Sequence, residues 1–223
     1  MIPTIAVIPT RYEPDRLRAL LDCITPEANV IVLDNGHEPP IPGTVDTRGL
    51  GIYALWNLGW RLALERANPV NVAILNDDIR LLPGTLRLLG HALRAEPRIG
   101  CVYPDARYSL DKGLPRSLTY TTEWDPAGGR SMTGFCFVFK GELPLPPFDE
   151  GMEWWYGDSE FDEQIKLAGH GVSRIDGVPI EHISDTELND WARRPDLREA
   201  TVRDGERWAA LHDRVVDGRW VPR

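Results

Sequence analysis

Two stretches of this sequence hold side chains whose types and spacing could do chemistry. In ILNDDI, residues 74–79, Asn76, Asp77 and Asp78 follow directly on an apolar run. Hard oxygen ligands at a strand end suit a Mg²⁺ or Mn²⁺ ion bridging two phosphates, with phosphate oxygens and water filling most other positions. His182 in IEHIS adds an imidazole, which tilts the choice toward Mn²⁺. The competing readings are an Asx-type turn for NDD and a purely structural histidine. The second stretch, WWYGDSEFDEQIKLAGH (154–170), crowds three rings against four carboxylates. Trp154, Trp155 and Tyr156 could wall a pocket for a ring-bearing acceptor, with Asp158 as the general base that takes a hydroxyl proton. Here the competing reading is an N-cap beside a core aromatic cluster. Ser159-x-x-Asp162 approximates a capping box, Phe161, Ile165 and Ala168 recur at helical spacing, and Gly169 can end the helix. On that reading Glu160, Asp162 and Glu163 form a solvated first turn that suits the positive end of the helix dipole.

The elements that must position these groups alternate in type. Ile5–Ile8, Val30–Leu33, Val72–Leu75 and Ile99–Tyr103 read as buried strands, and Asp15–Ile24, Leu50–Ala67 and Leu82–Ala95 as helices between them. Near-continuous apolar strands in βαβ order predict an α/β fold, a single Rossmann-like domain whose mostly parallel central sheet is flanked by helices. Ligands collect at the carboxyl ends of such strands. Pro9-Thr10-Arg11, Asp34-Asn35-Gly36 and Asn76-Asp77-Asp78 follow three of them, so polar groups gather at one rim. Residues 105–130 read as an irregular loop or hairpin over that rim. Gly134–Phe139 and Val172–Ile175 read as further strands, and a helical tail is expected from Pro195 to Val215.

With 223 residues, one substantial domain is expected. A net charge of −9 argues against affinity based on general phosphate neutralisation along a nucleic acid. The arginine-rich C-terminal region alternates with carboxylates and reads as a solvated mixed-charge helix. Cys23, Cys101 and Cys136 are widely spaced within apolar segments, which indicates neither a disulfide framework nor a zinc site. No apolar run approaches the ~20 residues of a membrane span, and the N-terminus reads as a first strand, so a cytoplasmic protein without membrane insertion is expected.

Taken in order, VIPTRYEPDRLRALLDCI, VLDNG, GLGIYALWNLGWRLALE, ILNDDI, MTGFCFVFKGEL, FDEGMEWWYGDSEFDEQIKLAGHG and VPIEHIS resemble the family 2 inverting glycosyltransferases of the GT-A fold, over roughly residues 3–186. The resemblance implies a GT-A domain over 1–186, with a nucleotide-binding half (1–104) and an acceptor half (105–186), and a C-terminal helical extension over 187–223 packed on it. It implies a donor such as a UDP- or dTDP-linked sugar, a Mn²⁺ or Mg²⁺ cofactor, and inverting transfer to an acceptor hydroxyl. Pro9, Thr10 and Arg11 would form the lip of the nucleotide pocket, Asp34 would read the base, and Asn57 would stand near the nucleotide. Asn76, Asp77 and Asp78 match the DXD-type motif with its first Asp replaced, which leaves Asp78 as metal ligand and turns Asp77 toward the ribose. His182 matches a further metal ligand. Asp158 matches the base, Gly157 replaces the usual Glu before it, and Glu160 replaces a second Asp on the acceptor side.

Two other readings remain at this stage. A nucleotidyltransferase would carry a glycine-rich basic loop after the first strand, and RYEPDRL lacks one. A degenerate module that binds a nucleotide-sugar or glycan without turnover fits the substitutions at Asn76 and Gly157. The acceptor, whether glycan, protein or modified nucleobase, is left open.

Overall fold

The computed structural model describes residues 2–11, 14–126, 132–183, 195–212, 215–216 and 219–220. Along the chain run β1 (Thr4–Thr10), α1 (Pro14–Ile24), β2 (Asn29–Asp34), β3 (Val45–Asp46), α2 (Ile52–Arg66), β4 (Asn71–Leu75), β5 (Ile79–Arg80), α3 (Thr85–Ala95), β6 (Ile99–Pro104), β7 (Tyr120–Glu123), β8 (Cys136–Lys140), α4 (Gly157–Leu167), β9 (Gly171–Ile175), β10 (Glu181–His182), α5 (Pro195–His212), β11 (Val215–Val216) and β12 (Arg219–Trp220).

Eight strands form one sheet in the order β3-β2-β1-β4-β8-β6-β9-β7. The β3-β2-β1-β4 half is parallel throughout, and β6 and β9 are also parallel. Only β8, between β4 and β6, and the edge strand β7 run against their neighbours. Strand parity explains why the strands are apolar at nearly every position. Ile5, Val7, Val72, Ile74, Phe137 and Phe139 pack under α2 and α4, while Ala6, Ile8, Ala73, Leu75 and Val138 pack under α1 and α3. A sheet covered on both faces has no solvent side to alternate toward.

The α2/α4 face is an aromatic knot. Phe148 stacks on Phe161 at 4.2 Å between centroids and meets Trp56 edge-on at 5.1 Å, and Trp60 meets Phe139 at 5.1 Å. Such pairs contribute about 0.5–1.5 kcal/mol each beyond their buried area. Asn57 holds Phe148 in the knot: its amide nitrogen donates to the Phe148 carbonyl (2.9 Å) and its oxygen accepts from the Phe148 N–H (2.9 Å).

Several expectations shift at their ends. The 105–130 region contributes a short 3₁₀ turn at Leu110–Lys112 and the edge strand β7, which pairs with β9; residues 127–131 lie outside the described residues. The C-terminal helix ends at His212, short of Val215. It is no free solvated helix, since Asp204 is 1% exposed and Ala200 is buried. The expected division at 186/187 lies outside the described residues.

Candidate active site

The carboxyl ends of β2, β1 and β4 lie side by side. Thr10 is in register with Asp34, and Asn35 N–H donates to the Thr10 carbonyl (2.9 Å). The Thr10 hydroxyl donates to Asp77 Oδ2 at 2.6 Å, which ties the end of β1 to the turn after β4. Burial pushes the Asp77 carboxyl above its usual range, the Thr10 hydroxyl opposes that, and neighbouring Asp78 adds to it. Asn76 N–H donates to the Phe135 carbonyl (2.9 Å), so β8 begins at the same rim.

Asp78 meets His182 through a small ribbon. β5 starts at the next residue and pairs antiparallel with β10, with His182 opposite Ile79 and Ile183 N–H donating to the Asp78 carbonyl at 2.7 Å. His182 Nε2 thereby sits 3.1 Å from Asp78 Oδ2. Asp78 Oδ1 is buried and has no hydrogen-bond partner among the described residues. No cluster of three or more His, Cys, Asp or Glu suited to a metal occurs among the described residues. One carboxylate, one imidazole and an unsatisfied carboxylate oxygen nevertheless fit an ion such as Mn²⁺ or Mg²⁺ that takes its remaining ligands from phosphates and water.

Asp158 adjoins the segment 133–135, which also meets His182. Phe135 stacks on the His182 ring at 4.5 Å and 11°. Its neighbour Gly134 packs against Asp158, since a Cβ on Gly134 would stand 2.7 Å from Asp158 Oδ2. The Asp78–His182 pair and the candidate base are therefore linked through two consecutive residues, Phe135 and Gly134. Burial drives the Asp158 carboxyl upward, and the backbone N–H groups of Ser159 and Gly134 pull against it. Ser159 N–H donates to Asp158 Oδ1 at 2.9 Å.

The helix that carries Asp158 departs from the sequence reading in three ways. Its N-cap is Tyr156, with φ 71° and no side-chain cap, so Ser159 lies inside the first turn and no capping box forms. Asp162 and Glu163 are 5% and 6% exposed and not solvated. Burial, as the largest cause, raises Asp162 to about 6 and Glu163 to about 7. The fully buried Lys166 ammonium lies 2.6 Å from Asp162, one turn on. Glu160 is also pushed up by burial, and its Oε2 is buried without a hydrogen-bond partner among the described residues. Its environment is thus unlike that of a surface carboxylate.

Glycine at position 157 has a local cause. A side chain there would overlap the Tyr53 ring from α2. The Tyr53 hydroxyl accepts from Gly157 N–H (3.0 Å) and donates to the Trp154 carbonyl (3.1 Å), which fixes the start of α4.

Other expected site residues are committed elsewhere. Asp34 is 2% exposed; its Oδ1 accepts from Gly36 N–H, His37 N–H and His37 Nδ1, and its Oδ2 from Ile41 N–H. Burial alone would raise this carboxyl, but those donors hold it well below the usual range. The geometry is that of an Asx turn shaping residues 36–41. Asn57, besides its two bonds to Phe148, donates to Glu150 Oε1 (2.9 Å) and so is occupied in packing. Pro9 and Thr10 are buried at the end of β1, and Arg11 is exposed beyond them. Trp154 and Trp155 are 43% and 41% exposed, whereas Tyr156 stacks on Trp208 of α5 at 5.6 Å.

The sequence reading passed over Tyr53, Gly134, Phe135 and Asp204. Tyr53 sits at a helical core position, where an aromatic is absorbed into the apolar pattern. Gly134 and Phe135 stand in a run that reads as strand. Asp204 lies among alternating charges that read as solvated.

No protein-family model matches the sequence, and no curated protein matches it. In solved structures the fold recurs. It is similar to a mannosyltransferase from Pyrobaculum calidifontis solved with GDP-Man and Mn²⁺ (TM-score 0.65, 19% identity, 94% of this chain covered). It is also similar to S. aureus TarS, both as the fragment 1–349 (TM-score 0.59, 14% identity, 91% of this chain) and in a longer form (TM-score 0.59, 14% identity, 95% of this chain). The chain spans 65% of the first two structures and 42% of the third. An eight-stranded mixed sheet covered by helices is thus the GT-A-like fold expected from the sequence.

Proposed function

We propose that this chain is a metal-dependent glycosyltransferase that moves a sugar from a nucleoside-diphosphate sugar to an acceptor hydroxyl with inversion. The observation that carries the reading is that two consecutive residues touch both groups: Phe135 stacks on His182 of the Asp78–His182 pair, and Gly134 packs against the half-buried Asp158 carboxylate. Asp78 and His182 would hold Mn²⁺ or Mg²⁺ with the donor diphosphate, and the ion supplies charge neutralisation of that leaving group when bound. Asp158 accepts the proton of the acceptor hydroxyl as that oxygen attacks the anomeric carbon, in one in-line displacement. Its raised proton affinity suits the task, since a base above the usual carboxylate range holds the proton better near neutral pH. Thr10 and Asp77 would shape the nucleotide side of the rim, with Asp77 toward the ribose, and Trp154 and Trp155 the acceptor side.

For the base, a uridine or thymidine donor would need its imide N–H to reach Asp34, which is 2% exposed with both oxygens bonded by its own loop. Guanine offers a comparable N–H donor, and the P. calidifontis mannosyltransferase was solved with GDP-Man.

UDP-, dTDP- and GDP-linked sugars incubated with the protein and Mn²⁺ test the reading by release of nucleoside diphosphate, with the product anomer read by NMR. Metal-dependent release and an inverted anomer are expected. In Asp78→Ala, metal-stimulated release should vanish, and His182→Ala should need at least about 10–100-fold more Mn²⁺. Undiminished metal-dependent release by Asp78→Ala would remove the ion from this rim, and donors left intact by the wild type would leave a binding module.

A further inference from the structure

We infer that Asp204, on the C-terminal helix, is a positioning residue that sets the two exposed indoles of Trp154 and Trp155 as a stacking platform for a ring-bearing acceptor such as a pyranoside. The inference rests on the transferase reading for its place in the reaction, but the platform itself is a matter of binding.

One carboxylate gathers three successive backbone donors. Asp204 Oδ1 accepts from Glu153 N–H (2.8 Å), and Oδ2 accepts from Trp154 N–H (2.6 Å) and Trp155 N–H (2.7 Å). Hydrogen bonds to an ionised acceptor are the strong ones, and Asp204 is 1% exposed. Neighbours on the same face of α5 add to the grip. Arg203 bonds Glu153 through two nitrogens (2.9 and 2.9 Å), and Arg207 bonds Asp149 in the same way (2.6 and 2.8 Å). Trp208 takes the Tyr156 ring. Positions 203, 204, 207 and 208 recur at the spacing of one helical face.

The clamp has a consequence that packing alone does not need. Tyr156 is turned inward onto α5 in a left-handed backbone conformation, while Trp154 and Trp155 are held outward four and three residues before Asp158. Two adjacent indoles exposed on a fixed backbone are preorganised to stack on an apolar ring face, so little ordering cost is left at binding. Asp204 touches neither donor nor acceptor. It acts through the backbone of 153–155.

The probes are p-nitrophenyl glycosides, titrated against wild type and Asp204→Asn by calorimetry, with UDP and GDP titrated in parallel. Asparagine keeps one acceptor oxygen but turns an N–H₂ toward the backbone donors. The glycosides should bind at least tenfold more weakly to Asp204→Asn, nucleotide affinity should stay within twofold, and amide hydrogen exchange should accelerate at residues 153–155 relative to the central strands. If Asp204→Asn does not fold, Trp154→Ala with Trp155→Ala, both at exposed side chains, must remove the same glycoside binding. Unchanged glycoside affinity in a folded Asp204→Asn with accelerated exchange would reduce Asp204 to a structural role and overturn the inference, as would a wild type that binds no glycoside. Glycoside bound by a wild type that turns over no nucleotide sugar would defeat the transferase reading and leave the platform standing.

Discussion

Gly134 leaves no room for a side chain beside Asp158: a Cβ there would stand 2.7 Å from Oδ2. Gly134→Ala should therefore push the carboxylate out of place and lower transfer, while nucleotide affinity stays near the wild-type value. Asp158→Asn should cut the transfer rate by about 10²–10⁴-fold, the usual range for losing a general base, with nucleotide binding kept. If Asp158 is the base, the wild-type rate should rise with pH up to a value above the ordinary carboxylate range, because a base works only when ionised and burial raises its proton affinity. Full activity in Asp158→Asn would move the base elsewhere, first to Glu160.

Gly157 and Tyr53 should behave as a coupled pair. Gly157→Glu strikes the Tyr53 ring and should destabilise the protein by about 1–3 kcal/mol, in the manner of an overpacked core. Tyr53→Phe leaves the Gly157 N–H and the Trp154 carbonyl without their partner and should cost about 1–3 kcal/mol. Denaturant unfolding of Tyr53→Phe checks that loss, and unfolding of Gly157→Glu, of Tyr53→Ala and of the variant carrying both measures the coupling. Additive losses would mean that the overlap is relieved by movement elsewhere.

Asp34 separates a structural from a recognition role. Asp34→Ala strips four donors of the 34–41 turn and should cost at least about 2 kcal/mol. If the carboxylate also reads a base, the variant loses preference for UDP over ADP in calorimetry. Lost stability with selectivity retained would assign it wholly to the turn.

Glu163 makes stability fall as pH rises. Its proton affinity increases on folding, from an ordinary 4.5 to about 7, because burial and the neighbouring Glu160 and Asp162 disfavour its charge. The folded protein therefore binds the proton more tightly than the unfolded chain, and this contribution is full below about pH 4.5 and gone above about pH 7. Asp162, raised to about 6, acts in the same direction while Lys166 restrains it. Glu163→Gln should flatten the decline in Tm between pH 4.5 and 8. An unchanged slope would place the proton uptake elsewhere.

The periodicity of apolar residues was enough to show the alternation of strands and helices, because a strand buried on both faces and an amphipathic helix leave different spacings in the sequence. It also put NDD, VLDNG and PTR at strand ends, since polar residues directly after a buried strand have only the rim to occupy. Pairings between distant segments were not legible. Asp78 and His182 are 104 positions apart in the chain, and only the β5–β10 ribbon brings them within 3.1 Å. Local patterns also misread burial. The carboxylates of 162 and 163 look solvated beside one another in sequence, yet Lys166 and the packing of α4 on the sheet enclose them. The same holds for Asp204, whose charge among alternating arginines signals a surface until three backbone N–H groups from 50 residues away are found on it. Sequence thus determined which elements form, because that depends on the spacing of apolar side chains along the chain. Tertiary structure alone decided which polar groups meet and which are withdrawn from water, because burial and hydrogen bonding depend on neighbours that only the folded chain supplies.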